Sequence, residues 1–120
     1  EEAFLALDAH PPDGKGAIRS VFFAAENIFR LMYPSSNQLN SGEVLKNLKP
    51  AVDAIYADQK PAVHVAQKQI SAFKEWIDGA HFYRHEPGTE EPAQPPLDLA
   101  VFMVSQGAAH IRWLVKIDKG

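Results

Sequence analysis

The stretch KPAVHVAQKQISAFKEWIDGAHFYR, residues 60–84, carries the longest regular apolar period in the chain. Val63, Ala66, Ile70, Phe73, Ile77 and Ala80 recur at intervals of three and four. That spacing lines one side of an α-helix, whereas a half-buried strand would alternate every second residue. Such a narrow seam is of the helical-bundle type. Pro61 suits a first helical turn, where its missing N–H has no partner to lose. A long helix is therefore expected over residues 60–84.

Nearer the N-terminus, residues 15–33 carry the same period, with Ile18, Val21, Phe22, Ala25, Ile28, Phe29 and Met32 on one face. Pro34 and the SSNQ that follows end that run. Asn40-Ser41-Gly42-Glu43 reads as a capping box, in which Asn40 accepts from the helix end and Glu43 reaches back. Leu45, Leu48, Val52, Ile55 and Tyr56 continue it with helical spacing. Pro50 lies inside, so two short helices or one kinked helix are expected there. A last helix spans about 96–118, with Leu97, Ala100, Val104, Gly107, Ile111 and Leu114 as its main face. A second stripe, Leu99, Phe102, Ala109, Trp113 and Ile117, lies roughly opposite. A helix apolar on both sides is either central or part of a subunit interface. No alternating pattern marks a strand, and no repeat is present. The expected fold is an all-α antiparallel bundle of four to five helices in a single domain, 1–120. Residues 1–14 read as the tail of a preceding helix and a linker, with the chain a C-terminal domain of a longer protein.

The totals fit this reading. The chain has 120 residues, 46% hydrophobic and 22% charged, which is ordinary for one soluble globular domain. A net charge of −3 disfavours a general nucleic-acid coat. The absence of cysteine removes disulfides, thiolate metal sites and cysteine nucleophiles, and fits a reducing compartment such as the cytoplasm. The longest apolar runs are too short to span a membrane.

Candidate site residues cluster where the 60–84 helix ends. Arg84 continues the seam and points inward, so it needs an acceptor; Glu26, Asp98 or a loop carboxylate can supply one, with Glu26 the first choice. Alternatively, Arg84 only binds the last carbonyls of its helix. Glu26 also lies four residues before Arg30, a spacing that forms a surface ion pair. His81 and His85 are four apart, a spacing that can hold a metal on a helix, with His110 a conceivable third ligand. The HFYRH segment lacks the glutamate of a zinc-protease helix, and two ligands make no site, so no metal and no cofactor is expected. There is no glycine-rich phosphate loop. Ser20, Ser71 and Ser105 lie within helices, without the tight turn a serine nucleophile uses. The lysines are dispersed among acids. EPGTEEPAQPP, residues 86–96, is a loop that can shield the rim.

Two segments resemble a known family. GAIRSVFFAAENIFRLM, residues 16–32, is similar to the opening helix of prokaryotic HEPN-type and abortive-infection-type helical domains. YRHEPGTEEPAQPPLDLAVFMVSQGAAHIRWL, residues 83–114, resembles their closing section, where an arginine and a histidine beside a turn precede a last apolar helix. The resemblance implies an antiparallel bundle, frequently dimeric. Active members are metal-independent ribonucleases with an arginine, four to six residues and then a histidine at a dimer cleft. Here Arg84 and His85 are adjacent, and His85 precedes Glu86 rather than glycine. Only Glu26, Arg84 and His85 carry over, as a polar cluster.

The favoured expectation is a non-catalytic binding or assembly module of a prokaryotic defence or toxin–antitoxin type protein. It would be a homodimer through Phe102 and Trp113, with RNA or protein as a further partner and Glu26, His81 and Arg84 as ligand-binding residues. The alternatives are a metal-independent ribonuclease using Arg84 and His85 as catalytic residues, and a helical domain binding a small molecule or anion.

Overall fold

Asp13 starts the first long helix of the computed structural model, which describes residues 2–84 and 92–119. Its Oδ1 accepts from the Gly16 N–H at 2.9 Å, satisfying a donor that the helix itself leaves open. Helix α2 then runs over Gly14–Met32, preceded by a short α1 over Glu2–Asp8. Next come α3, Ser41–Glu43, a π-helical turn, Val44–Leu48, and α4, Lys49–Ile55. Two long helices follow, α5 over Ala62–His81 and α6 over Leu97–Lys119. With residues 41–55 taken as one irregular helix, this is an all-α bundle of five helices, and no strand occurs among the described residues.

The α2 face buries Ala17, Ile18, Val21, Phe22, Ala25 and Phe29. Burying each phenylalanine contributes about 1.5–3 kcal/mol relative to leaving it in water. Ile28 and Met32 are only partly buried at the edge of the same core. From α5, Val63, Ala66, Ile70, Phe73, Ile77 and Ala80 all turn inward. So does Trp76, which sits beside that seam and is 3% exposed. Its indole stacks on Phe22 and Phe73, and its Nε1–H donates to the Met103 carbonyl at 2.9 Å. The polar edge of the ring is thereby satisfied while the rest fills the core.

Helix α6 passes this cluster at Gly107, where a methyl group would come within 2.6 Å of Trp76 Cζ2 and 2.7 Å of Val21 Cγ2. Only glycine permits that approach. Ala100, Val104 and Leu114 complete the buried face, whereas Leu97 is exposed. Residues 2–8 are more than a tail: Ala3 enters the core, with Ala6 and Leu7 packed against it.

The segment before α6 is clamped to the start of α2. Gln94 Nε2–H donates to Asp13 Oδ1 at 3.0 Å, and Gln94 Oε1 accepts from the Lys15 N–H at 3.0 Å. Lys15 Nζ donates to the Pro92 carbonyl at 2.6 Å. Helices α2 and α6 thus start at the same end of the molecule.

Of the two expectations at Pro50, two short helices or one distorted helix, the structure has the second: residues 41–55 run on without a break as one irregular helix. A regular helix would press its ring against the carbonyl four residues back. The chain instead widens into the π turn just before it, where the Lys49 N–H bonds to the Val44 carbonyl. No helix among the described residues is long and apolar enough to cross a membrane.

Candidate binding cleft

The C-terminal end of α5 stops earlier than its apolar period. The N–H groups of Phe82, Tyr83 and Arg84 each bond three residues back, to Gly79, Ala80 and His81. These tight turns close the helix. The free carbonyl of Tyr83 is taken by Arg19 of α2, whose Nε–H donates to it at 2.8 Å. The cation at this helix end is therefore Arg19 rather than Arg84.

Arg84 instead turns onto α2. Its guanidinium carbon lies 4.2 Å from the centroid of the Phe22 ring, over the electron-rich face. Its Nη2–H donates to His81 Nδ1 at 2.7 Å. Its Nε is buried without a hydrogen-bond partner. Among the described residues no carboxylate reaches it.

The expected pairing with Glu26 is not formed. Glu26 Oε2 accepts from the Leu39 N–H at 3.0 Å and so anchors the loop after α2. Further hydrogen bonds tie that loop down. Ser36, 2% exposed, donates to Glu43 Oε1 at 2.5 Å, and Asn47 Nδ2–H donates to Ser36 Oγ at 3.1 Å. Asn40 Oδ1 accepts from the Glu43 N–H at 2.8 Å, the first half of the capping box. Glu43 spends its carboxylate on Ser36. Ser41 Oγ–H donates to Asp78 Oδ1 at 2.8 Å, fastening the loop to α5.

Between this fixed loop and the end of α5 lies a cleft of about 390 Å³. Gln38, Leu39 and Asn40 form one wall and Ile77, Asp78, His81 and Arg84 the other. Phe23 of α2 adds an aromatic ring that is 49% exposed. Of the sequence-derived site residues, the structure brings His81 and Arg84 together here, with Glu26 behind the Leu39 wall. His85 lies outside the described residues.

His110 is elsewhere, packed 4.8 Å from the Phe73 ring centroid and 5.6 Å from that of Trp76. It stands apart from His81, and among the described residues no three metal-binding side chains gather. Its Nε2 is buried without a partner, and burial pushes its imidazole below the usual histidine range. Phe102 is 59% exposed on the outer side of α6, while Trp113 is half-buried near Tyr56 and Val65.

No protein-family model, curated protein or solved structure matches this chain. The cleft is defined by its own chemistry. It offers a guanidinium held in place by an aromatic face and an imidazole, two primary amides and an exposed ring. Asp78 is its one acidic wall residue, and that carboxylate is engaged by Ser41. Gln38 and Asn40 were missed by periodicity, because a loop carries none.

Proposed function

We propose that this chain is a non-catalytic helical binding module and that its cleft takes a small anion, a carboxylate or phosphate group, on Arg84. The observation that carries this reading is the placement of the guanidinium. It is oriented by Phe22 and His81, it borders an open cleft, and among the described residues no carboxylate neutralises it. A cation fixed in this way binds an anion without first giving up side-chain freedom. The module belongs, on the resemblance of its two ends, to a prokaryotic cytoplasmic defence or toxin–antitoxin type protein. It works as a homodimer, with an RNA or protein partner presenting the anionic group.

Isothermal titration of the full chain with inorganic phosphate tests the ligand class. Saturable binding is expected, weakened at least about tenfold by Arg84→Gln, since one charge-assisted hydrogen bond is worth about 1.5–3 kcal/mol. No saturable heat, or equal affinity in the variant, contradicts the proposal.

A second reading is a metal-independent ribonuclease, favoured by the imidazole beside the guanidinium. The same hydrogen bond weighs against it. A neutral histidine that accepts at Nδ1 carries its proton on Nε2 and has no basic nitrogen left to abstract another. RNA cleavage in the presence of chelator, abolished by His81→Ala, would establish catalysis in its place.

A further inference from the structure

The outward side of α6 carries a pattern that its packing in the protomer does not use. Asp98, Phe102, Ser105, Ala109, Arg112 and Lys116 follow one another at intervals of 4, 3, 4, 3 and 4, and all are exposed. This is the period of a coiled-coil seam, lying opposite the buried Ala100–Val104–Gly107–Leu114 face. The seam is small in its middle, at Ser105 and Ala109. It is acidic and aromatic towards the start of the helix and basic towards the end.

We infer that this face docks on a second copy of itself, antiparallel, about a two-fold axis at the level of Gly107. The inference rests on the homodimer reading above and adds its geometry. An isologous interface must be self-complementary, each residue meeting a different one in the other copy. Antiparallel pairing centred on position 107 does this along the whole seam. Ser105 faces Ala109 of the second copy, so the two helices approach closely. Phe102 faces Arg112 of the second copy, a ring against a guanidinium. Asp98 faces Lys116 of the second copy, and each such pair occurs twice.

The flanks agree. In an antiparallel pair the positions beside the seam meet their own kind: Leu99 lies by Trp113 of the second copy, and Val101 by Val115. Leu99 and Val101 are 42% and 43% exposed in the protomer, which leaves apolar surface for the pairing to cover. A parallel pair would set Arg112 and Lys116 against their own copies and repel. Charge and apolar matching thus select one partner and one orientation.

Sedimentation equilibrium across a concentration series tests this, with circular dichroism to confirm that each variant stays folded. The unaltered chain should dimerise. Ala109→Glu, at the centre of the seam, should leave a folded monomer. Asp98→Lys should raise the dimer dissociation constant about tenfold, from two pairs of roughly 0.7 kcal/mol each. Adding Lys116→Asp to that variant should restore the original affinity, because both pairs are then re-formed with reversed sign. The chain has no cysteine, so mixing a Ser105→Cys chain with an Ala109→Cys chain checks the register: oxidation should link unlike chains in preference to like ones. A dimer whose affinity is not restored by the charge swap, or that fails to crosslink in this way, overturns the antiparallel register while self-association stands. A monomer at every concentration overturns both.

Discussion

The guanidinium of Arg84 rests on the ring of Phe22, 4.2 Å from its centroid, and has no carboxylate among the described residues. This changes what its removal should cost. Breaking a buried ion pair costs about 3–5 kcal/mol, but a partly exposed cation over a ring is worth about 0.5–2 kcal/mol. Arg84→Ala should therefore lower stability by about 1–2 kcal/mol in a urea titration. Glu26→Ala should cost a similar amount by freeing the Leu39 N–H. Because the two side chains serve different partners, the double variant should lose the sum within about 0.5 kcal/mol. A sum far from additive would mean that the two are coupled after all.

Gly107→Ala should destabilise the protein although alanine favours helix. Helix propensity returns about 1 kcal/mol. The methyl group, however, meets Trp76 Cζ2 at 2.6 Å and both methyls of Val21, and overpacking a rigid core costs about 1–3 kcal/mol. Thermal unfolding should show a net loss, and the loss should shrink in a Trp76→Phe background, where the colliding ring atom is gone. A stabilised Gly107→Ala protein would mean that α6 stands further from α5 than described.

His110 should make stability fall on mild acidification. Its folded-state affinity for protons is lowered by burial, so below the ordinary value near 6.5 the unfolded chain binds a proton that the folded chain refuses. The stability it allows is complete above that value and is lost as pH falls towards the lower folded one. His110→Phe removes both the proton site and the partnerless Nε2 while keeping a ring against Phe73 and Trp76. It should stabilise the protein by on the order of 1 kcal/mol and flatten this part of the pH profile. An unchanged slope between pH 7 and 5 would assign the dependence to other groups.

Asp13→Ala should cost about 1 kcal/mol as a lost helix cap. Asp13 holds its proton less tightly than usual, first because Gln94 donates to it and then because the Gly16 N–H does. That contribution is full above the ordinary value of 3.8 and disappears as the pH drops through the lowered one. Gln94→Ala should reproduce part of the loss, and chemical denaturation at neutral pH measures both.

Period and capping carried most of the fold. The buried faces of α2 and α5 follow spacing that burial alone dictates, and Asn40 caps its helix as its position before Ser41 implies. What stayed hidden depended on contacts between distant segments. Arg19 closes α5 across 64 positions, so the apolar period runs on to Arg84 although the helix ends at His81. Trp76 lies beside its seam and packs between Phe22, Phe73 and the point where Gly107 lets α6 come close. Glu26 has the spacing of a partner for a cation, but its Oε2 accepts from a backbone N–H, which no side-chain pattern announces. Of the cleft, only His81 and Arg84 were legible; its loop wall exists because Glu26, Ser36 and Ser41 pin residues 36–41.

Nitrogen-detected chemical shifts give the sharpest test of an anion site on Arg84. Inorganic phosphate is titrated into the isotope-labelled chain at constant ionic strength. The Arg84 side-chain Nε–H and the backbone amides of Gln38, Leu39, Asn40 and His81 should shift together along one saturable curve, and Arg84→Gln should abolish the shifts in the loop. Shifts that grow linearly without saturating, or that saturate at the basic end of α6 and leave the cleft unmoved, would mean that the cleft holds no anion.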